Sequence, residues 1–274
     1  MLEGVKTVDL VALDRDHPGF RDVAYRARRN EIASLAEAWS PGEPPPHIAY
    51  DARENGVWKT ALAELRPLHR RFACAAFEAG LVTVDFPDDA IPSFDHVNER
   101  LAPRTGFRLA PVAGLASPAE FMGALADGVF FATQYVRHHS APLYTPEPDV
   151  LHELIGHAAL LADETYAGLN RAFGEATRRA SPAEIEALIR VYWYTLEFGV
   201  VGRPGDYRVV GAGLLSSFGE LGRFEAEAEK RVFDLDVISR TPFDPTDYQR
   251  VLFVAETEAD LTTRLRAWLD RIGR

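Results

Sequence analysis

The sequence contains almost no cysteine and no long hydrophobic run, and both absences exclude whole classes of protein. Cys74 is the only cysteine among 274 residues, so the chain cannot form an internal disulfide. No apolar run approaches the roughly 20 residues that a helix needs to cross a bilayer. The first residues, Met1–Leu10, contain no basic leader followed by an apolar stretch. The sequence therefore predicts a cytoplasmic protein without a membrane span or a secretory signal.

Positive charge is also scarce. The chain carries 30 lysines and arginines against 41 aspartates and glutamates, a formal net charge of -11. Nucleic acids and anionic membrane surfaces need concentrated positive charge on their partners, so neither is an expected partner. Arginines do cluster between Tyr25 and Arg29, but acidic residues flank them, and this stretch is interpreted as a solvated helix face.

The length and composition are those of one ordinary globular domain. A chain of 274 residues that is 47% hydrophobic and 26% charged can bury a full core without disulfides or structural metals. We therefore predict a single domain over residues 1–274, with an irregular or helical segment over about 1–50.

Apolar spacing and helix-start signals predict a mainly α fold with a few short β-strands. Ser117 and Ser181 are each followed by proline and, three positions on, by glutamate, which is typical of a capped helix start. Gly202–Asp206 lies between two short apolar runs, as in a β-hairpin. The other predicted elements are helices over 22–39, about 53–79 and 258–272, and a strand over 251–254.

Two stretches of the chain together offer metal ligands. Residues 144–157 contain His152 and His157, and residues 192–199 contain Glu197 on a predicted helix that also carries Trp193. Two imidazoles and one carboxylate occupy half of an octahedral ferrous ion and leave open positions, which is the ligand set of non-heme iron oxygenases. The sequence therefore predicts an iron-dependent oxygenase.

The spacing of the two histidines raises a difficulty. Five residues of a regular helix turn about 140° away from the starting face, so His152 and His157 cannot both reach one ion from such a helix. Gly156 eases this, because glycine lets the backbone leave helical geometry. The spacing also differs from the four-residue spacing of zinc proteases, which leaves a zinc hydrolase with Glu153 as general base as the weaker alternative.

Each of these side chains also has an ordinary structural interpretation. A single histidine on an apolar helix is more often a hydrogen-bonded core residue than a ligand, and Glu197 alone fits a buried ion pair. Arg137 either clamps a substrate carboxylate or forms a salt bridge with Asp149, and the two roles are compatible. A shared metal site is preferred because the predicted helix aims Glu197 inward.

At these residues the chain strongly resembles the pterin-dependent aromatic amino acid hydroxylases. The resemblance is long and specific, and covers nearly the whole chain as that family's catalytic domain, with an iron- and pterin-binding core over about 110–220. It implies that the chain has no regulatory domain and no C-terminal tetramerisation helix. It also implies a monomer or a small oligomer. The motifs that carry it are Asp16–Phe20, Tyr25–Arg29, Pro111–Leu115, Thr133–His138, Tyr144–Asp149 and Gly211–Ser217.

The resemblance implies a ferrous ion, a tetrahydropterin and a role for each candidate residue. The implied iron ligands are His152, His157 and Glu197. The implied pterin site consists of Gly114, Leu115, Phe121, Glu153 and Tyr192. The implied substrate site consists of Arg137, Thr145, Pro146, Trp193, Phe198, Gly213 and Ser216, with Arg137 pairing with the carboxylate of the amino acid.

The same resemblance predicts hydroxylation of phenylalanine to tyrosine. Trp193 favours phenylalanine or tyrosine as the substrate, because tryptophan hydroxylases usually have phenylalanine at the matching place. Compact single-domain members generally make tyrosine from phenylalanine, so attack at the para position is the expectation. Attack at the meta position, and tyrosine or tryptophan as substrate, stay open as alternatives.

Overall fold

The computed structural model describes residues 13–114 and 117–273. Helices make up most of it, and two of them have π-helical geometry. The α-helices are α1 (Val23–Ala38), α2 (Ala52–Phe72), α3 (Ala75–Val84), α4 (Phe94–Thr105), α5 (Pro118–Leu125), α6 (Ala159–Leu161), α7 (Glu164–Arg179), α8 (Pro182–Tyr192), α9 (Ala212–Ser216), α10 (Phe218–Leu221), α11 (Phe224–Glu227), α12 (Leu235–Ile238) and α13 (Glu258–Leu269). The π-helices are π1 (His152–Ala158) and π2 (Trp193–Glu197).

The strands are short and form two small sheets, as the mainly α prediction requires. They are β1 (Arg108–Pro111), β2 (Val129–Ala132), β3 (Val200–Arg203), β4 (Asp206–Val209), β5 (Glu229–Val232) and β6 (Val251–Ala255). β1 and β2 pair in parallel, and the other four lie in the order β4-β3-β6-β5. The predicted hairpin is the antiparallel β3–β4 pair, in which Arg203 pairs with Asp206. The predicted strand over 251–254 is β6.

The two serine caps form as predicted. Ser117 and Glu120 exchange hydrogen bonds at the start of α5, and Ser181 and Glu184 do the same at the start of α8. In each case the glutamate accepts from the backbone N–H and from the hydroxyl of the serine, and the Ser117 hydroxyl also accepts from the Glu120 N–H. This arrangement satisfies donors that a helix start otherwise leaves unpaired.

The single helix predicted over 53–79 is wrong, because the chain divides it into α2 and α3. Ala73 and Cys74 between them are extended. The Cys74 N–H donates to the carbonyl of Val209, and Ala73 forms an isolated bridge with the same residue. Pairing with β4 thus replaces one helical turn, and apolar spacing cannot reveal it because both arrangements bury the same side chains.

The core lies between α7, π1, α6 and the helices of the N-terminal half. Fully buried aromatic side chains such as Trp58, Phe77 and Phe173 pack in it. π1 packs closely on α9, where a Cβ on Gly156 would lie only 2.7 Å from the Ala212 carbonyl oxygen. Within the described part of the chain, no helix is both long and apolar enough to cross a membrane.

Candidate active site

The two predicted histidine ligands lie on π1. This helix runs over His152–Ala158, and a π-helix bonds each residue to the one five positions on, so its turn is wider than that of an α-helix. Residues five apart therefore share a face, and His152 and His157 point to one place. We expected the backbone to leave helical geometry at Gly156, and this expectation is wrong. Gly156 stays within the helix, and the absence of its side chain permits the close contact with α9.

A second π-helical turn presents Glu197. α8 changes into π2 at Trp193, and the Phe198 N–H donates to the Trp193 carbonyl at 2.8 Å. The wider turn brings the rings of Trp193 and Phe198 to a centroid separation of 4.6 Å. Glu197 and Trp193 were predicted to share their surroundings on a regular helix, and both do face the same cavity.

The donor atoms of the three predicted ligands converge. His157 Nε2 lies 3.0 Å from His152 Nε2 and 3.1 Å from Glu197 Oε1, and His152 Nε2 lies 3.8 Å from Glu197 Oε2. Adjacent ligands of an octahedral ion with bonds of about 2.1 Å are about 3.0 Å apart. The arrangement therefore fits a single metal ion held on one face, with its other positions open.

Ser216 fixes the tautomer of His152. Its hydroxyl lies 2.9 Å from His152 Nδ1 and 2.8 Å from the carbonyl of Ala212. A carbonyl only accepts, so the single hydroxyl proton goes to Ala212, and the hydroxyl oxygen accepts from Nδ1–H. His152 Nε2 is then left with a lone pair aimed at the other ligands. Such support of a ligating histidine is typical of metal sites.

Charge in this group is balanced between the imidazoles and the carboxylate. Burial and the neighbouring His157 lower the pKa of His152 to about 4. Burial opposes the charged form of His157, but Glu197 outweighs it and raises the pKa of His157. Burial likewise works against ionised Glu197, but His157 keeps the pKa of Glu197 below its usual range. Binding of a metal displaces the shared proton, so affinity for metal falls at low pH.

Glu153 is a second carboxylate beside the histidines, and its pKa is shifted in the opposite direction to that of Glu197. Burial raises its pKa to about 7. Its Oε1 accepts from the backbone N–H and the hydroxyl of Thr133, both at 3.3 Å. Glu197 is the better third ligand, because it is ionised and closer to the imidazoles, whereas Glu153 is held towards β2.

Arg137 forms the salt bridge that its structural interpretation predicts. Its Nε and Nη2 donate to the two carboxylate oxygens of Asp149 at 2.9 and 2.7 Å, and both side chains are buried. This pair fixes the plane of the guanidinium and leaves Nη1 outside it. Because Arg137 also lines the cavity described below, its second predicted role is compatible with the first.

The three converging ligands open onto a cavity of about 550 Å³. All but one of the pterin and substrate residues predicted above line it, and the exception, Leu115, lies outside the described residues. Phe121 is held by edge-on contacts with Phe130 at 5.1 Å and Tyr192 at 5.9 Å. Thr145 donates its hydroxyl to the carbonyl of Glu147 at 3.0 Å. Predicted residues from distant parts of the sequence thus line one cavity.

One wall of the cavity was not predicted. Phe243 stacks on Trp193 with ring centroids 4.2 Å apart and planes at 14°, and Gln249 accepts from the Trp193 indole N–H at 2.9 Å. Phe243 and the residues from Pro245 to Tyr248 line the cavity between these two contacts. They lie in a loop without apolar periodicity, so no pattern in the sequence marks them. Ser216 was predicted only as a substrate residue, and its bond to His152 was missed.

Comparison with known proteins shows which enzymes this chain is similar to. A family model described as "Biopterin-dependent aromatic amino acid hydroxylase" matches residues 5–274. Tyrosine 3-monooxygenase of Mus musculus is 45% identical over 267 residues, which are 96% of this chain and 54% of the relative. Phenylalanine-4-hydroxylase of Caenorhabditis elegans is 41% identical over 268 residues, 96% of this chain and 58% of the relative. The chain spans about half the length of the curated relatives it matches.

Among solved structures, phenylalanine hydroxylase of Chromobacterium violaceum with bound iron(III) and oxidised cofactor 7,8-dihydrobiopterin is similar with a TM-score of 0.75. It is 31% identical, and the match covers 85% of this chain and 89% of that chain. The zinc hydrolase alternative finds no support in these relatives. The chain belongs to the family of biopterin-dependent aromatic amino acid hydroxylases.

Proposed function

We propose that the chain hydroxylates L-phenylalanine to L-tyrosine with dioxygen, iron(II) and a tetrahydropterin. The observation that carries the proposal is the convergence of His152, His157 and Glu197 at the wall of a cavity that also contains Arg137. These three side chains would hold the ferrous ion. When bound, the ion and the pterin supply the activation of dioxygen, one atom of which enters the aromatic ring.

The residues of the chain bind and orient the amino acid. Arg137 is held flat by Asp149, so its remaining N–H groups are already oriented to receive the carboxylate of the substrate. Trp193, Phe198 and Phe243 pack ring on ring and form an apolar slot for the substrate ring. A charge anchor at one end and an aromatic slot at the other fix the distance between carboxylate and ring, and hence which carbon reaches the metal.

The pterin site is proposed for the part of the cavity around Phe121. A flat heterocycle stacks on an aromatic ring and takes its orientation from a few polar groups. Phe121 offers the ring, and Glu153, buried among apolar atoms and bonded to Thr133, offers a polar group next to it. Gly114 and Tyr192 line the same cavity.

Phenylalanine is preferred as the substrate because the ring slot is apolar. A phenol hydroxyl buried against the rings of Trp193, Phe198 and Phe243 without a hydrogen bond would cost about 1–3 kcal/mol. Tyrosine is the second candidate, and one observation favours it: five mammalian tyrosine 3-monooxygenases are 42–45% identical to this chain, against 41% and 39% for two phenylalanine-4-hydroxylases.

An aerobic assay with separate substrates tests the proposal. Purified protein loaded with iron(II) receives a synthetic tetrahydropterin and phenylalanine, tyrosine or tryptophan, and products are separated against ortho-, meta- and para-hydroxylated standards. We expect para-tyrosine that depends on both iron and pterin. Meta-tyrosine, 3,4-dihydroxyphenylalanine or 5-hydroxytryptophan as main product would retain the chemistry and overturn the specificity. Protein with bound iron that hydroxylates none of the three would overturn the proposed function.

A further inference from the structure

A second group of two histidines and one carboxylate lies outside the active site. Asp22, His138 and His139 bring their ligand atoms within 4.8 Å of one another. Asp22 lies at the start of α1, and the two histidines lie in the turn that follows Arg137. We propose that this group, called here the Asp22 cluster, binds a divalent transition-metal ion, with Zn²⁺ as the ion that its ligands fit best.

His138 is held in position before any ion arrives. It is buried, and its ring lies edge-on to Tyr25 with centroids 4.9 Å apart. Its Nδ1 lies 2.7 Å from the hydroxyl of Ser140 and accepts from the Ser140 backbone N–H at 3.3 Å, so Nε2 binds a metal only when the ring proton moves to Nδ1 and the hydroxyl accepts it. The cost of ordering this ligand has already been met by folding.

The two oxygens of Asp22 have separate tasks. Oδ1 accepts from the Tyr25 N–H at 3.0 Å and caps α1, whereas Oδ2 lies 3.3 Å from His138 Nε2. Two ligands of a tetrahedral zinc ion with bonds of about 2.1 Å are about 3.4 Å apart. The Asp22–His138 pair therefore already has the separation that one ion requires, without loss of the helix cap.

His139 supplies the third ligand and is the mobile partner. Its side chain is exposed, and its ring centroid lies 4.3 Å from that of His138 with the planes at 40°. Closing its nitrogen onto the ion requires a movement of at most about 1.5 Å, which an exposed side chain can make. Three protein ligands and a water molecule then complete a tetrahedral N₂O₂ set.

The charges around the Asp22 cluster are mixed. Burial, followed by His138 and Arg53, lowers the pKa of His139, whereas Asp22 and Asp51 oppose this shift and attract a cation. His139 and Arg137 also line one small cavity of about 120 Å³, so a bound ion would anchor to α1 the turn that carries the proposed carboxylate anchor.

Counting bound metal in matched variants tests this proposal. Metal-free protein is dialysed against Zn²⁺ alone and the bound zinc is measured by mass spectrometry of the metal. Wild type should bind about two equivalents, one at the triad and one at the Asp22 cluster. Asp22→Asn and His139→Asn should each bind about one, and the thermal stabilisation by zinc should fall with it. Asparagine caps a helix about as well as aspartate, so α1 is preserved.

Three further variants make the outcome unambiguous. His47→Asn removes an exposed histidine outside the cluster and should leave the wild-type count unchanged. A His152→Ala, His157→Ala double variant should bind about one equivalent, and adding His139→Asn should remove it. Equal counts for wild type, Asp22→Asn and His139→Asn would overturn the Asp22 cluster as a metal site. An unchanged count in the double variant would instead overturn the triad, so the two failures are distinguishable.

Discussion

The active-site triad and the Asp22 cluster have the same composition and very different settings. Both consist of two histidines and a carboxylate, and in each a serine hydroxyl bonds the Nδ1 of one histidine. The triad lies on two π-helices that both pack on α9, with side chains between 6% and 15% exposed. The Asp22 cluster lies between the start of α1 and a turn, with an exposed third ligand and an Asp22 side chain that is 31% exposed.

The difference separates a site for chemistry from a site for binding. The triad borders a cavity of about 550 Å³ that has room for an aromatic substrate, whereas the cavity beside His139 measures about 120 Å³. Rigid ligands with open positions keep a metal reactive, while a mobile ligand lets an ion satisfy its own geometry. Ligand type alone therefore does not predict function; the support behind the ligands and the space in front of them do.

The largest effect on hydroxylation is expected from Glu197, compared with Asp22 of the other cluster. Glu197→Gln should reduce hydroxylation to background and weaken iron binding, because the shape is kept while the charge that attracts the metal is lost. Asp22→Asn, the matched change in the other cluster, should retain hydroxylation. Turnover of phenylalanine and iron content are measured side by side. Glu197→Gln protein with wild-type turnover would show that Glu197 is not a ligand.

The next largest effect, on metal affinity, is expected from the serines that bond a histidine in each cluster. Ser216→Ala should weaken iron binding by about 10- to 100-fold, because His152 loses the partner that fixes its tautomer. Ser140→Ala should weaken zinc binding at the Asp22 cluster and leave iron binding unchanged. Metal affinities are measured by competition with a chelator. If Ser216→Ala instead raises the KM for the amino acid at unchanged iron affinity, Ser216 acts on the substrate carboxylate, its other predicted role.

The contact between π1 and α9 can be broken by one methyl group. A Cβ on Gly156 would lie 2.7 Å from the Ala212 carbonyl, so Gly156→Ala should lower the free energy of unfolding by about 1–3 kcal/mol and reduce iron affinity. Zinc binding at the Asp22 cluster should persist. Gly56→Ala is the control: Gly56 lies in α2 with open space around its Cβ position, and alanine there should add about 0.5–1 kcal/mol. Urea unfolding measures both.

Such π-helical turns also mark the limit of prediction from sequence. Helices with regular spacing, such as α1 and α13, and capped starts, such as Ser117 and Ser181, were predicted from local patterns because local interactions determine them. The three proposed ligands were predicted from residue type and from the family resemblance. The sequence did not reveal why His152 and His157 share a face, because the π-helical turn packs against α9 and leaves no periodic signal.

Long-range contacts account for the other errors. The break between α2 and α3 depends on a hydrogen bond from Cys74 to Val209, more than a hundred residues away. The stacking of Phe243 on Trp193 likewise joins segments that no local pattern relates. Sequence reasoning identified the residues proposed to bind metal, pterin and substrate, whereas the wall around Phe243 and the supporting bonds come from tertiary structure.

The last prediction concerns a third kind of histidine, His69, which has neither a metal partner nor a carboxylate. Its Nε2–H donates to the Leu215 carbonyl on α9 at 2.7 Å, on the same helix that carries Ser216. Burial, with a smaller contribution from Arg66, lowers its pKa to about 4, against about 6.5 in an unfolded chain. The unfolded state therefore binds more protons than the folded state between these two values.

Stability should consequently decrease as the pH falls from about 6.5 towards 4, and this contribution should change no further below 4. Integration gives a loss of about 2 kcal/mol from His69 at pH 5. His69→Gln can keep the bond to Leu215 without titrating, so the difference in urea stability between pH 7 and pH 5 should shrink by about that amount. His47→Gln, at an exposed position, should leave the difference unchanged. Equal differences in wild type and His69→Gln would mean that α9 keeps its support in acid, and that the rigidity of the triad does not depend on a neutral His69.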